Sequence, residues 1–149
     1  MAEKQLEMVA SWEKEKEDQL AREFQLAQQH ASMNKQKLSS LEQYRLDYLR
    51  QTQVKGKTAL KVDKFNQLQS FIGKLDKACQ QQMQVHSQSV LVAEQRKDIW
   101  LAQQRKRKAV EMLLEKKRLA RLARDNKIEQ QLMDELSTQR FIRQAQQRR

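Results

Sequence analysis

The 149-residue sequence has no proline, only two glycines and a single cysteine. Globular β and α/β domains use glycine and proline in their turns, so this composition excludes both classes. One cysteine excludes a disulfide scaffold and a zinc site built from cysteines. No run of about 18 apolar residues is present, so we expect no segment that spans a membrane. An all-α protein remains.

Apolar residues recur at steps of three and four along two long segments, which is the pattern of a left-handed coiled coil. Abundant Gln, Lys and Glu would also suit intrinsic disorder, but disorder does not require this spacing. The first segment carries Leu20, Phe24, Ala27, Ala31, Leu38, Leu41 and Tyr48, and the polar residues Asn34 and Arg45 occupy the two remaining positions of the spacing. The second carries Leu68, Phe71, Leu75, Ala78, Val85, Val92 and Ile99, with interruptions at Gln82 and Ser89.

The strongest break between the two segments lies near Gly56, and a short connection favours antiparallel neighbours. We therefore predict an antiparallel two-helix coiled-coil hairpin that forms one elongated domain over residues 1–149. The first helix is expected at about 2–53, the turn at about 54–59 and the second helix at about 60–145. A turn centred on Gly56 places Leu6 opposite about Lys106. The C-terminal helix would then overhang by about 40 residues, exposed or docked on another protein; the alternative is that it folds back or frays in isolation.

Charge is distributed unevenly along the chain. Residues 1–50 hold 8 basic and 9 acidic residues, whereas the remainder holds 22 basic and 10 acidic residues. The excess of positive charge is greatest at 105–108 and 116–118. Such a basic stretch attracts acidic surfaces, nucleic acid or anionic lipid, although it can also be a solvated face that keeps a long helix soluble.

Near the predicted turn each helix carries two offset apolar lines, although a two-helix coiled coil needs only one. In the first helix, Leu38, Leu46 and Leu49 are offset from Leu41, Tyr44 and Tyr48. In the second, the line beside Phe71, Leu75 and Ala78 consists of Phe65, Leu68, Ile72, Cys79, Met83, Val90, Ala93 and Trp100. We expect one line to stay outside as an apolar patch, which usually marks a binding site. The alternative is a wide seam that partly buries both lines.

The sequence contains no catalytic constellation, and we expect neither a cofactor nor a metal. His30 and His86 lack the further ligands that a metal site requires. Cys79 has no second cysteine nearby and is expected to be a buried small apolar residue. Lys55-Gly56-Lys57-Thr58 lacks the preceding glycine and the strand of a phosphate-binding loop.

The order of residues along the chain carries further information. Tyr44 and Tyr48 precede the break, and Phe65, Phe71, Ile72 and Leu75 follow it. Next come the glutamines at 80–82, Trp100, the basic run at 105–108 and the acidic pair at 134–135. This order resembles the flagellar export protein FliJ family, a group of short basic coiled-coil proteins of the flagellar type III export apparatus. The resemblance covers nearly the whole chain.

The resemblance implies a non-enzymatic stalk, similar to the rotor stalk of rotary ATPases, in the cytoplasm at the inner face of the cell membrane below the flagellum. The implied partners are the hexameric flagellar export ATPase, the cytoplasmic part of the export gate protein FlhA, and export chaperones. The gate-binding surface of the family would correspond to Leu41, Tyr44, Tyr48, Phe71, Leu75, Ala78 and Gln82. By the rotor analogy the terminal end of the coil would enter the ATPase ring, where the expected basic contacts are Arg105, Lys106, Arg107, Lys108, Lys116, Lys117 and Arg118.

Two other functions fit the same sequence features. A basic coiled coil that binds nucleic acid would lose affinity steeply with salt. Aromatic residues are sparse along the basic stretch, which disfavours base stacking, so no DNA partner is expected. The equivalent stalk of a virulence-type secretion system is the other alternative.

Overall fold

The computed structural model describes residues 2–57 and 61–148, and nearly all of them belong to two long α-helices. Helix α1 runs from Glu3–Lys57 and helix α2 from Val62–Gln147. Within these described ranges there is no strand. Strong helix formers fill both segments and proline is absent, so nothing interrupts the backbone hydrogen bonds. The predicted all-α class is confirmed.

The end of α1 differs from the expected one. The helix continues through Gly56 to Lys57, so residues 54–57 of the predicted turn are helical. Residues 58 and 59 of that turn lie outside the described residues. Glycine in a helix interior costs only about 1 kcal/mol relative to alanine, so one glycine is not sufficient to end a long helix.

Contacts divide the chain into two units, and in each a segment of α1 packs antiparallel against a segment of α2. One unit comprises residues 17–103, and the other comprises residues 1–16 together with 104–149. The antiparallel two-helix hairpin predicted from the apolar spacing is therefore confirmed.

In the unit of residues 17–103, the side of α1 that packs against α2 follows steps of three and four without a break. Every member of this row is buried or half-buried, including the two charged ones, Glu17 and Arg45. The row consists of Glu17, Leu20, Phe24, Ala27, Ala31, Asn34, Leu38, Leu41, Arg45 and Tyr48. The row predicted for the first helix is thus confirmed from Leu20 to Tyr48.

The facing row of α2 takes members from both offset lines of the sequence. Its buried or half-buried residues are Leu68, Ile72, Leu75, Cys79, Gln82, His86, Ser89, Ala93 and Trp100. The expectation that one whole line stays outside is wrong, because a heptad row alternates between the two lines. The wide seam describes the structure better. It leaves Met83, Val85, Val92 and Ile99 exposed by 43–53%.

Three contacts fix the antiparallel register in this unit. Arg45 pairs with Asp76, and the Gln82 side-chain amide donates to the Asn34 carbonyl at 2.9 Å. Phe24 stacks on Trp100 with ring centroids 5.6 Å apart and planes 19° apart. Residue numbers rise along α2 as they fall along α1, as an antiparallel pair requires.

In the unit of residues 1–16 and 104–149, the buried apolar residues of α1 are Leu6 and Ala10. Two ion pairs give the register, Glu13 with Lys106 at 3.7 Å and Glu3 with Arg121 at 3.0 Å. The prediction that Leu6 lies opposite Lys106 is therefore wrong. Because α1 ends at Lys57 and α2 begins at Val62, the midpoint between the two helices lies three to four residues beyond Gly56. The residue of α2 that lies opposite a given residue of α1 is therefore about seven positions later than predicted.

The overhanging C-terminal helix is shorter than predicted. Because Glu3 reaches Arg121, α1 covers α2 much further than a turn at Gly56 allows. We call residues 125–148 the C-terminal arm; all of them are exposed, as are residues 118–124 before them. The predicted overhang of about 40 residues is thus reduced to the arm.

Candidate functional site

Three aromatic side chains from both helices meet near the connected ends of α1 and α2. We call Tyr44, Tyr48 and Phe71 the aromatic cluster. The Tyr48 and Phe71 rings lie 4.8 Å apart, the two tyrosine rings 5.0 Å apart, and Tyr44 and Phe71 6.4 Å apart. Tilted and edge-to-face pairs at these distances contribute about 0.5–1.5 kcal/mol beyond simple area burial. The cluster is therefore ordered by its own contacts.

The cluster combines an apolar surface with two hydroxyl groups. Tyr44 is 47% exposed and Phe71 37%, although both rings are large and apolar. The two tyrosine hydroxyls are 3.4 Å apart, and this hydrogen bond raises the pKa of Tyr44 above its ordinary value of 10.0. Tyr44 is therefore neutral at physiological pH, and its ring can contact an apolar partner without removing a charge from water.

The structure places the seven predicted gate-binding residues in different environments. Tyr44 and Phe71 are exposed, whereas Leu41, Tyr48, Ala78 and Gln82 are half-buried. Leu75 is only 7% exposed and lies in the seam of the two helices, contrary to the expectation that the whole set faces outward. The set thus forms one edge of the seam, with Tyr44 and Phe71 as its accessible members.

A groove of about 670 Å³ extends from the aromatic cluster along α1. Its walls are mostly apolar, with Met33 57% exposed, and Lys37 is the one charged residue that lines it. Gln82 contributes from α2, held in place by its hydrogen bond to the Asn34 carbonyl. The lining residues are Met33, Gln36, Lys37, Ser40, Leu41, Tyr44 and Gln82. The groove can accept an apolar side chain beside a negative group.

Comparison with known proteins places the chain in a family. A family model described as the flagellar FliJ protein matches residues 2–146. The chain belongs to the FliJ family. Searches of curated proteins and of solved structures found no match. The resemblance in residue order is confirmed, and this FliJ chain is a component of the flagellar export apparatus, with a role in flagellar biogenesis and protein export.

The described residues of the FliJ chain contain neither a membrane-spanning helix nor a cluster of metal-binding side chains. Among the described residues, neither helix has a stretch long and apolar enough to cross a bilayer. The same residues form no group of three or more His, Cys, Asp or Glu side chains that could hold a metal ion. His86 and Cys79 are half-buried members of the α2 seam row.

The predicted basic residues of the FliJ chain divide into paired and exposed ones. Arg107 pairs with Glu111 at 2.7 Å, and Arg118 donates two hydrogen bonds to Glu115. The Arg118 bond lowers the pKa of Glu115, and in return Glu115 raises the pKa of Arg118. Lys106 contacts Glu13, and Lys117 also has an interaction partner. Arg105, Lys108 and Lys116 are exposed.

Sequence reasoning missed three residues of the groove in this FliJ chain, namely Met33, Gln36 and Ser40. The signal was present, because Met33, Lys37, Ser40 and Tyr44 follow one another at steps of four, three and four. Two of the three missed side chains are polar, so an apolar search passes over them. Continuing the line of Tyr44 toward the N-terminus would have found the groove.

Proposed function

We propose that the chain is a non-enzymatic stalk and adaptor that links the flagellar export ATPase to the export gate. The aromatic cluster and its groove bind the cytoplasmic part of FlhA, and the basic residues at 105–118 bind within the ATPase hexamer. Export chaperones are further partners. The protein works in the cytoplasm at the inner face of the membrane at the flagellar base. The observation that carries this proposal is an exposed aromatic cluster on a hairpin of the FliJ family.

The assignment to the gate is supported by what the cluster leaves accessible. Tyr44 and Phe71 hold large apolar rings at the surface in fixed geometry, so a partner that covers them loses little side-chain entropy. Aromatic anchors of this kind dominate binding energy in many interfaces. The neighbouring Lys37 adds a positive charge that favours a partner segment with a carboxylate next to its apolar anchor.

The test of the gate site compares exposed and buried members of the predicted set. Phe71→Ala and Tyr44→Ala should each weaken binding to the cytoplasmic domain of FlhA by at least about tenfold, because each removes an aromatic anchor. Leu91→Ala is the matched control, since Leu91 is an exposed apolar residue of α2 outside the groove. Binding is measured by calorimetry, and helix content and thermal midpoint by circular dichroism.

Leu75→Ala distinguishes residues that pack in the seam from residues that bind a partner. Leu75 is buried, so its truncation should lower the free energy of unfolding by about 2 kcal/mol or more. Phe71→Ala and Tyr44→Ala should each lower it less, by about 1 kcal/mol, because each loses ring contacts within the aromatic cluster. The gate assignment would be contradicted if both aromatic variants bound FlhA as tightly as the parent. It would also be contradicted if these variants unfolded at low temperature.

The ATPase site is tested by charge reversal. Changing Arg105, Lys108 and Lys116 to Glu should abolish association with the ATPase, because these exposed cations are available to a partner. The matched control reverses Lys35, Lys64 and Lys97, which are also exposed but lie elsewhere. An equal loss in both triple variants would show a response to net charge alone, and unchanged ring binding would refute the basic site.

A further inference from the structure

Among the described residues, the C-terminal arm is a helix with no buried side. Residues 125–148 are all exposed, and α1 begins at Glu3, which pairs with Arg121. The apolar residues of the arm are nevertheless numerous and 49–72% exposed: Ile128, Leu132, Met133, Leu136, Phe141 and Ile142. At 1.5 Å per residue the arm extends for about 36 Å.

Most of these apolar residues share one side of the helix. At 100° per residue, Ile128, Leu132, Leu136 and Ile142 fall within an arc of about 120°. Met133 lies about 60° outside this arc, and Phe141 lies on the opposite side of the helix. Glu135 and Gln139 also lie within this arc, so four of its six positions between residues 128 and 142 are apolar. The arc has the width used to pack one helix against another.

Charge is segregated between the two halves of the arm. Residues 125–135 contain four acidic residues and one basic residue. Residues 136–148 contain three arginines and no acidic residue. An antiparallel copy of the same arm would set each acidic half against a basic half. A parallel copy would instead set like charges side by side.

We propose that the C-terminal arm binds the arm of a second copy of this chain, antiparallel and centred near Leu136. In this register Leu136 meets its counterpart, and Glu129 of each copy lies level with Arg143 of the other. Leu132 and Ile142 of both copies close the apolar face. The inference goes beyond the proposed function and does not depend on it.

The contact is weak and reversible. Stable protein interfaces bury roughly 1,600 Å² in total, and two short helices with a few apolar residues each bury less. The dimer therefore forms at high local concentration, as when several copies gather at one assembly. Partners that bind the arm would compete with it.

Sedimentation of the full-length chain tests the association. The average mass should rise with concentration from the 17.8 kDa of one chain toward the mass of two. A chain that stops at residue 124 should stay monomeric. A monomer at every concentration reached would overturn the proposal, and so would a dimer that persists without the arm.

A charge exchange tests the register. Arg143→Glu should weaken the dimer about tenfold, since two ion pairs become two repulsions. Combining Arg143→Glu with Glu129→Arg in the same chain should restore the parent affinity. Lys97→Glu, an exposed change of α2 outside the arm, should leave the affinity unchanged. Failure of the double variant to recover would exclude this register.

Cysteine cross-linking tests the direction of the two arms. The single native cysteine is first removed by Cys79→Ser. Leu136→Cys, at the centre, should then cross-link efficiently to itself. Ile128→Cys should cross-link to Gln146→Cys in a mixture, but not to itself, because both positions lie on the proposed face at nearly the same level. Self-cross-linking of Ile128→Cys would show parallel arms and overturn the proposal. Circular dichroism on each variant checks that the hairpin is intact.

Discussion

Asn34 stands in the apolar row of α1 but is a polar residue that is only 4% exposed. Its side-chain amide nitrogen is buried and has no hydrogen-bond partner, while Gln82 donates to its backbone carbonyl at 2.9 Å. The Asn34 side-chain oxygen accepts from Gln82 at 3.4 Å, but a buried N–H donor without a partner is destabilising by about 1–3 kcal/mol. Asn34→Leu should therefore raise the free energy of unfolding by about 1 kcal/mol, measured by urea denaturation.

The matched control for this change is Gln29→Leu, which adds the same side chain at an exposed position of α1. It should leave the free energy of unfolding nearly unchanged. Destabilisation by Asn34→Leu would mean that the amide is satisfied in solution, for example by water, and that it fixes the register of the helices. Asn34 would then be a specificity element of the hairpin.

The two tyrosines of the cluster give a direct spectroscopic readout, because the chain contains no others. The hydrogen bond to Tyr48 is the main cause of the raised pKa of Tyr44. Tyr48→Phe should therefore shift the ionisation of Tyr44 downward, toward its ordinary value of 10.0, in an alkaline absorbance titration. An unchanged midpoint would show that the two hydroxyls are not bonded in solution. Tyr44→Phe provides the reciprocal control.

At the scale of the helices, Gly73 is the clearest place to gain stability. It lies inside α2, it is exposed, and a Cβ added there meets no atom within 4 Å. Gly73→Ala should raise the free energy of unfolding by about 1 kcal/mol, because alanine restricts the unfolded chain and favours the helix. Thermal and urea unfolding measure the gain.

Ser70→Gly, one turn earlier on an exposed position, is the reverse experiment and should destabilise the same helix. Loss of stability in Gly73→Ala would indicate that α2 bends at Gly73 in solution. Gly73 lies within the regularly spaced stretch from Leu68 to Ile99, and α2 continues through it.

The two glycines also show where prediction from sequence works and where it does not. The apolar steps of three and four recur over many turns, so they are sufficient to predict two α-helices and their antiparallel pairing. Helix ends depend on a few residues, so reading Gly56 as a turn misplaced the register by about seven residues. The burial of Leu75 could not be predicted either, because two apolar lines competed for one seam and packing decides between them.

The polar seam residues were visible in the sequence as interruptions. Asn34, Gln82 and Ser89 occupy apolar positions of the spacing, and all three lie in the seam. Their mutual contacts depend on the register and could not be read from either helix alone. The same holds for the groove, since Gln82 completes it from the other helix.

At the scale of the whole molecule, acidic residues of α1 pair with basic residues of α2. Three acidic residues among the first 50 positions form ion pairs within the hairpin. Glu3, Glu13 and Glu23 each contact a basic residue of α2. Part of the basic excess is thus neutralised internally.

An adaptor with two sites makes a further prediction about cells. Phe71→Ala should lose binding to the gate, and the triple reversal of Arg105, Lys108 and Lys116 should lose binding to the ATPase. Each variant should therefore impair motility. If one chain must hold both partners at once, producing the two variants together cannot restore swimming, because neither copy links ring to gate. Swarming on soft agar in a strain that lacks its own copy measures this, with Leu91→Ala as the functional control. Recovery of motility in the mixed strain would show that the two sites act on separate copies, and would reject a single-chain link between ATPase and gate.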